Sequence, residues 1–423
     1  MAKFIIKGGA ELAGEISVKG AKNAVLPIMC ATILAKGEFI LNNVPNLSDV
    51  STMVKLLEYL GLKVEKLNND TYKIINNGLT SVEAPYELVS EMRASFTITG
   101  PLIGKEKRAK VAMPGGCALG ARAVDQHLRA FEKMGVQVNT EHGFVNLDGN
   151  NLTGAEVDVE VTKLKIPSVG ATENVMMAAV LASGQTIINN AAKEPEIVDL
   201  GNFLIKMGAK IEGLGSDKII IIGVKELQAC EYEIMPDRIE AGTYIIMSLI
   251  TGGKVKIKNV NLSDLPGFIA KLEEMGVKFT QEENLLSVRG NINELKNTKI
   301  ETAVHPGFPT DLQPQMMVLL SLIAGASEVN ETIFSNRFML VPELDRMGAE
   351  IVVDERVANI KGEIKFSGAK VTATDIRAGV SLVLAALIAD NTTEINNIHF
   401  IERGYEDLVS RLKLLGANIE RVD

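Results

Sequence analysis

With 423 residues, the chain is longer than one hydrophobic core normally serves, so we expect more than one domain. Apolar residues make up 46% and charged residues 23% of the sequence, a balance that is typical of globular proteins and excludes intrinsic disorder. The net charge of -9 disfavours nonspecific binding to nucleic acid or to an anionic membrane. Three scattered cysteines and four histidines without paired spacing predict neither a disulfide framework nor a bound metal.

The first segment of the chain, residues 1–7, alternates apolar and polar residues and predicts a β-strand. This segment lacks the long apolar stretch and the small-residue cleavage site of a secretory signal. No apolar run in the sequence reaches the roughly 20 residues that cross a bilayer. We therefore expect a cytoplasmic protein without membrane partners.

Further along the chain, a very apolar helix followed by a strand recurs four times. Because such a helix is apolar on all its faces, we expect protein to surround it. The four copies place helix and strand at residues 24–35 and 37–44, 174–182 and 184–191, 242–250 and 253–260, and 379–389 and 391–398.

A second pattern is a helix that ends in Leu-Gly or Met-Gly before a β-forming segment. The glycines of this pattern stand at positions 61, 135, 208, 276, 348 and 416. Each glycine fits the position just after a helix, where the backbone is left-handed and a residue without Cβ is favoured. The regular spacing predicts six copies of one unit of about 70 residues.

Together these patterns predict an α/β fold in which buried helices lie inside and sheets with amphipathic helices lie outside. This is the inverse of an ordinary α/β barrel. Six units could form one ring or two groups of three, and the chain length favours two domains with a cleft between them. Composition marks no linker, so the domain boundary does not follow from it.

Polar residues stand at the expected starts of the buried helices. They are Lys22-Asn23, Arg93 with Ser95, Ser168, Asp237, Asp311, and Asp375 with Arg377. Helix amino termini carry unpaired N–H groups and the positive end of the dipole, so several of them around one cleft would bind an anion. Capping is the commoner explanation for any one Asp or Ser. A cation at a helix start opposes the dipole, which favours a functional role for Lys22 and Arg93.

A glycine-rich loop at residues 113–122 holds Cys117 and ends in Arg122. Its flexible backbone could expose the thiol, and the arginine with a nearby phosphate could tune the titration of that thiol. The alternative is a small buried hydrophobe on a turn, which is the commoner fate of a free cysteine. Cys30 and Cys230 lack such a setting and are predicted to be structural.

The segment His-Pro-Gly-Phe-Pro-Thr-Asp at residues 305–311 places an acid after two prolines at a helix start. An immobilised carboxylate suits a general base that takes a proton from a hydroxyl. An N-cap is the equally frequent alternative for Asp311. His127 follows Asp125 at the start of an amphipathic helix, and we expect a surface histidine there rather than a base.

Taken together, these segments resemble the enolpyruvyl transferases of the EPSP synthase family, and within that family the branch that acts on UDP-N-acetylglucosamine. The matching motifs run in order along the whole chain, at residues 20–24, 92–95, 114–122, 194–199, 236–240, 305–311, 331–338, 373–377 and 402–406.

The resemblance implies an inside-out α/β fold of two similar domains. One domain spans residues 22–234 and carries the Cys117 loop, and the other comprises residues 1–21 and 235–423, with the active site in the cleft between them. The implied reaction transfers the enolpyruvyl group of phosphoenolpyruvate to the 3-hydroxyl of UDP-N-acetylglucosamine and releases phosphate through a tetrahedral intermediate. This is the first committed step of peptidoglycan synthesis, and it needs neither metal nor cofactor.

By position, the resemblance implies that Lys22, Arg122 and Arg403 bind the phosphate and carboxylate of phosphoenolpyruvate. Asp311 would accept the proton of the sugar hydroxyl. Cys117 would act as a general acid or as a covalent carrier, and would be alkylated by fosfomycin. Lys22 and Arg403 join these two residues in the implied catalytic set. The other implied substrate contacts are Asn23, Arg93, Ala123, Val124, Asp125, Gln126, Ser168, Val169, Ile333, Arg337, Asp375 and Arg377.

Three other functions compete with this interpretation. A transferase that acts on shikimate 3-phosphate would share the fold, but the Cys117 loop argues against it. An inactive paralogue could serve as a regulatory binding protein, although the implied catalytic positions are intact. An RNA-end-processing enzyme built from related units would need a basic surface, which the net charge disfavours. Any regulatory protein partner is unknown from the sequence.

Overall fold

A computed structural model describes residues 2–113, 124–161, 165–252 and 254–423. The described residues divide into two compact units. The first, called here the 20–235 unit, runs from Gly20 to Met235. The second, called the 236–423 unit, contains Pro236–Asp423 and the chain's opening segment as far as Lys19.

The helices are, in chain order, α1 (Lys22–Ala31), α2 (Ser48–Tyr59), α3 (Tyr86–Glu91), α4 (Thr99–Glu106), α5 (Asp125–Lys133), α6 (Val169–Ala179), α7 (Pro195–Lys206), α8 (Arg238–Ile250), α9 (Pro266–Met275), α10 (Gln313–Leu322), α11 (Val341–Arg346), α12 (Ile376–Ile388), α13 (His399–Glu402) and α14 (Leu408–Leu414). Short 3-10 helices lie at Thr32–Leu34, Arg93–Ile98, Leu262–Asp264, Ile292–Glu294, Thr310–Leu312 and Arg337–Leu340.

The strands of the first half are β1 (Lys3–Lys7), β2 (Ala13–Ser17), β3 (Gly37–Asn42), β4 (Lys63–Lys66), β5 (Tyr72–Asn76), β6 (Glu83–Ala84), β7 (Arg108–Ala112), β8 (Gln137–Glu141), β9 (Phe144–Asp148), β10 (Glu156–Asp158), β11 (Glu160–Val161), β12 (Ile166–Pro167) and β13 (Gln185–Asn189). Those of the second half are β14 (Lys210–Glu212), β15 (Lys218–Ile222), β16 (Glu231–Glu233), β17 (Lys254–Lys258), β18 (Lys278–Glu282), β19 (Leu285–Arg289), β20 (Lys299–Glu301), β21 (Ala326–Asn330), β22 (Glu350–Asp354), β23 (Val357–Lys361), β24 (Lys370–Thr372), β25 (Thr392–Asn396) and β26 (Asn418–Val422).

Within the described residues, six four-stranded sheets share one topology: a parallel pair at one edge is followed by two antiparallel neighbours. The 20–235 unit contains the sheets β16-β3-β5-β4, β6-β7-β9-β8 and β10-β13-β15-β14. The 236–423 unit contains β2-β17-β19-β18, β20-β21-β23-β22 and β24-β25-β1-β26. The repeated topology confirms the predicted sixfold repetition of one α/β unit.

The six repeated glycines all adopt a left-handed backbone, with φ between 85° and 107°. They follow α2, α5, α7, α9, α11 and α14, and each precedes an outer strand of one of the sheets. The prediction that these glycines end helices is therefore confirmed. A side chain at a φ of this sign would be strained, which explains why glycine recurs there.

Each unit has a hydrophobic core of its own. Helices at the core are buried nearly all round; in α8, every residue from Ile239 to Ile250 is buried. The strands instead alternate buried and more exposed residues, as β21 and β25 do, so the sheets turn one face to the helices and the other outward. None of the helices in the described ranges is long and apolar enough to span a bilayer.

The buried helix expected to start at Arg93 and Ser95 begins as the 3-10 helix Arg93–Ile98 and continues as α4. It contains Gly100, Pro101 and Gly104, residues that disfavour a helix. Its packing explains it: the Gly100 N–H donates to Asn174 Oδ1 of α6 at 2.6 Å, and a Cβ on Gly100 would lie 2.3 Å from the Asn174 carbonyl oxygen. Only glycine allows so close a contact between the two helices, and tertiary packing outweighs the low propensity.

Candidate functional site

Asp311 lies in the 3-10 helix that precedes α10, within the 236–423 unit. Its side chain caps neither helix, so the N-cap alternative is wrong. Instead, Oδ1 accepts from Arg337 Nη2 at 2.8 Å, and Oδ2 lies 3.3 Å from Nη2 of Arg377. Two adjacent guanidinium groups favour the ionised carboxylate. The structure therefore brings together Asp311, Arg337 and Arg377, three of the predicted site residues.

Arg377 is held from its other side by Tyr405, which the sequence did not single out. Arg377 Nη1 donates to the Tyr405 hydroxyl at 3.3 Å, and that hydroxyl lies 2.9 Å from Thr243 Oγ1. Burial alone would lower the pKa of Arg377, but Tyr405 and Asp311 raise it, and the net direction is upward. Arg377 is therefore a fixed cation that orients Asp311.

The remaining predicted residues of this unit stand near helix ends. Asp375 caps α12, because its Oδ1 accepts from the N–H groups of Arg377 and Ala378 at 2.8 and 3.1 Å. Arg403 follows α13 directly and is half-buried. The next residue, Gly404, lies near Arg377, because a Cβ placed on Gly404 would be 3.8 Å from Arg377 Nη1. Ile333 is also half-buried and lies in the segment between β21 and the 3-10 helix that starts at Arg337.

In the 20–235 unit, Lys22 is the first residue of α1, as predicted. It is buried, and its Nζ lies 2.6 Å from Oδ2 of Asp49, a buried acid in the first turn of α2. Asn23, the next residue, is exposed. The carboxylate of Asp49 compensates the unfavourable interaction between a buried cation and the amino-terminal end of a helix.

Three other segments of this unit contain predicted substrate contacts. Arg93 begins the 3-10 helix that ends at Ile98. Around the start of α5, Val124 and Gln126 are buried, while Asp125 is exposed and forms an ion pair with Arg129 at 2.8 Å. At the start of α6, Ser168 Oγ accepts from the Ala171 N–H at 3.3 Å, and Val169 begins the helix; both residues are half-buried.

His127 joins these three segments, and the prediction that it lies on the surface is wrong. Only 7% of His127 is exposed. Its Nδ1 lies 2.8 Å from Nδ2 of Asn174 on α6, and its ring packs edge-on against Phe96 at 5.3 Å. Asn174 Nδ2 also donates to the Phe96 carbonyl at 3.2 Å. Because Asn174 is remote in sequence, the local pattern around His127 contained no sign of this burial.

A buried carboxyl group lies one turn into α6. Burial, together with the neighbouring Glu196 and Glu194, raises the pKa of Glu173 to about 8. At neutral pH this carboxyl group is largely protonated, and it can donate as well as accept a hydrogen bond. No sequence pattern had singled out Glu173, because its shift depends first on burial and then on acids at the start of α7.

Three predicted residues, Cys117, Arg122 and Ala123, lie outside the described residues. The other two cysteines are described. Cys30 is fully buried, and its Sγ lies 3.6 Å from the sulfur of Met53. Cys230 is half-buried. Burial raises the pKa of both thiols, which is consistent with their predicted structural role.

Comparison with protein families and known proteins gives matches along the whole chain. The family model described as EPSP synthase (3-phosphoshikimate 1-carboxyvinyltransferase) matches residues 6–412. The UDP-N-acetylglucosamine 1-carboxyvinyltransferase of Geotalea uraniireducens is 49% identical over 422 residues, which cover 100% of both chains. UDP-N-acetylglucosamine 1-carboxyvinyltransferase 2 of Carboxydothermus hydrogenoformans is 50% identical over 424 residues, again covering 100% of each chain.

Solved structures show the same fold at lower identity. The enolpyruvyl transferase NikO from Streptomyces tendae superimposes with a TM-score of 0.88 at 24% identity, covering 100% of this chain and 99% of that one. An EPSP synthase from Acinetobacter baumannii gives a TM-score of 0.77 at 18% identity, covering 100% of each chain. The arrangement of helices and sheets described above is thus the fold of these proteins.

Proposed function

Because the chain belongs to the EPSP synthase family, we propose that it transfers the enolpyruvyl group of phosphoenolpyruvate to the 3-hydroxyl of UDP-N-acetylglucosamine and releases phosphate. It would thus be a UDP-N-acetylglucosamine 1-carboxyvinyltransferase, which begins peptidoglycan synthesis. The observation that carries this proposal is the identity of 47–50% to relatives of that name, over 99–100% of both chains. The match to an enzyme acting on shikimate 3-phosphate is much weaker, at 17–18% identity.

In the proposed first step, Asp311 takes the proton from the sugar 3-hydroxyl as that oxygen attacks C2 of phosphoenolpyruvate. Its ion pairs with Arg337 and Arg377 support this role, because they hold an ionised carboxylate in one orientation. A proton is added to the methylene carbon at the same time, and we assign that donation to Cys117. In the second step, phosphate leaves C2 and takes up the proton held by Asp311, while the Cys117 thiolate takes a proton back from the methyl carbon, which restores the double bond.

We assign binding of the phosphate and carboxylate of phosphoenolpyruvate to Lys22, Arg122 and Arg403. Fixed cations placed where negative charge persists lower the barrier to addition. The buried position of Lys22 supports the assignment, since a cation that is already desolvated interacts more strongly with a phosphate. Asp49, its partner, would keep it oriented before the substrate binds.

The nucleotide-sugar is assigned to the segments that His127 joins, through Arg93, Val124, Asp125, Gln126, Ser168 and Val169 together with Arg122 and Ala123. Asn23, Ile333, Arg337, Asp375 and Arg377 complete the proposed set of substrate contacts.

Only small molecules are proposed as partners, with no role for nucleic acid or membrane. The proposed domains are residues 22–234 and residues 1–21 with 235–423, and the proposed location is the cytoplasm.

The product tests the proposal. Purified protein incubated with phosphoenolpyruvate and UDP-N-acetylglucosamine should yield a nucleotide-sugar with an enolpyruvyl ether at the 3-position, identifiable by mass spectrometry and NMR. A parallel reaction with shikimate 3-phosphate should yield no new ether. If only the reaction with shikimate 3-phosphate yielded an enolpyruvyl product, the proposed acceptor would be wrong.

A further inference from the structure

Glu331 is a fully buried acid whose carboxylate accepts four hydrogen bonds. Oε1 accepts from Thr302 Oγ1 at 3.0 Å and from the N–H groups of Ile333 and Phe334 at 2.8 and 3.1 Å. Oε2 accepts from Thr310 Oγ1 at 2.9 Å. One carboxylate thus joins two separate segments, the turn after β21 and the 3-10 helix that begins at Thr310.

The second of these segments holds Asp311. Thr310 precedes Asp311, and its carbonyl oxygen accepts from Nε and Nη2 of Arg337 at 3.2 and 3.1 Å. The same Arg337 donates to Asp311 Oδ1 at 2.8 Å. Glu331 therefore orients Thr310, and Thr310 fixes the guanidinium and the backbone that together place the Asp311 carboxylate.

Comparison with four of the five sister sheets shows that Glu331 departs from the pattern they share. After β3, β13, β17 and β25, the residue that follows the strand is an asparagine with a left-handed φ of 52° to 58°, namely Asn43, Asn190, Asn259 and Asn397. After β21 this place is taken by Glu331, which does not have a positive φ. The turn after β21 therefore has a different backbone from the other four, and two of its N–H groups, those of Ile333 and Phe334, donate to the Glu331 side chain.

We propose that Glu331 is a positioning residue for the reaction, acting through Thr310 on Asp311. This inference rests on the proposed function, in which Asp311 is the general base. Misplacement of a reacting group by about 1 Å can cost a hundredfold in rate, so one hydrogen bond at this point affects turnover more than substrate binding.

The test is Thr310→Val, which removes the hydroxyl donor but leaves the bonds of Glu331 to Ile333, Phe334 and Thr302. We expect kcat to fall roughly ten- to hundredfold and the pH profile of kcat to shift, while KM for both substrates changes little. Thr310→Ser retains the hydroxyl and should restore kcat. Ser321→Ala is the matched control, because it removes another buried hydroxyl bond, the 2.8 Å contact with the Met317 carbonyl, without a link to Asp311.

The inference is overturned if Thr310→Val keeps the wild-type kcat and pH profile, or if Ser321→Ala lowers kcat equally. Should Thr310→Val fail to fold, the kcat and pH profile of Glu331→Gln test the inference instead, since this substitution keeps the shape of the side chain and removes its charge. If the wild type turns over normally and these variants match it, the positioning role is contradicted but the proposed function is not. Wild-type protein without turnover would overturn the proposed function and the positioning role with it.

Discussion

At the scale of single residues, Asp311 is the side chain whose surroundings say most about its role. It shares its two oxygens between Arg337 and Arg377 and caps no helix. In Asp311→Asn the amide cannot accept the hydroxyl proton, so we expect kcat to fall by roughly 10² to 10⁴. Asp354→Asn, an exposed change at the end of β22, should leave steady-state kinetics unchanged. If the kcat of Asp311→Asn stayed within a few-fold of the wild-type value, the assignment of Asp311 as general base would be contradicted.

The three cysteines should differ in reactivity. Burial raises the pKa of Cys30 and Cys230, so neither is a thiolate at neutral pH. After incubation with fosfomycin and UDP-N-acetylglucosamine, peptide mass spectrometry should therefore find one adduct, on Cys117. Cys117→Ser should show no adduct at all. An adduct on Cys30 or Cys230, or none on the wild type, would contradict this prediction.

Glu173 predicts how stability depends on pH. Its pKa is about 8 in the folded chain, against a reference value of 4.5. Between these values the folded state holds one more proton than the unfolded state, so the stabilisation is complete below about pH 4.5 and is lost as pH rises towards 8. From pH 5 to pH 8, the thermal midpoint of the wild type should fall relative to that of Glu173→Gln. Glu58→Gln, an exposed change on α2, should follow the wild type; parallel curves for wild type and Glu173→Gln would contradict the assignment.

At the scale of elements, the features that are local in sequence were predicted and the others were not. A glycine after a helix and a polar residue at a helix start each depend on a few neighbouring residues, and both patterns were confirmed. The buried position of His127 and the close packing of α4 on α6 both involve Asn174, a residue 47 positions beyond that histidine. No periodicity within one segment could contain that contact.

The cap of α12 offers a test at this scale. Asp375 accepts from two N–H groups in the first turn, so Asp375→Ala should lower the free energy of unfolding by about 1 kcal/mol, whereas Asp375→Asn caps equally well. Urea unfolding compares the two variants. Because asparagine keeps the cap without the charge, any rise in KM for Asp375→Asn would report on substrate contact rather than on folding. A fully stable Asp375→Ala would contradict the capping role.

At the scale of the whole molecule, one α/β unit is repeated six times, and the sequence showed this through its glycines and apolar helices. The site could be predicted less completely. Periodicity and capping patterns alone could not distinguish a general base from an N-cap at Asp311. The resemblance to enolpyruvyl transferases implied the role of general base. The roles of Tyr405, Glu331 and Asn174 were not predicted, although the first two lie within matching motifs, because each acts through hydrogen bonds to residues distant in the chain.

The proposed transfer reaction is tested most directly by the release of inorganic phosphate from phosphoenolpyruvate. Three parallel assays would contain UDP-N-acetylglucosamine, shikimate 3-phosphate or no acceptor. We predict phosphate release with UDP-N-acetylglucosamine and none above background in the other two. Release with shikimate 3-phosphate, or no release in any of the three, would contradict the proposed function.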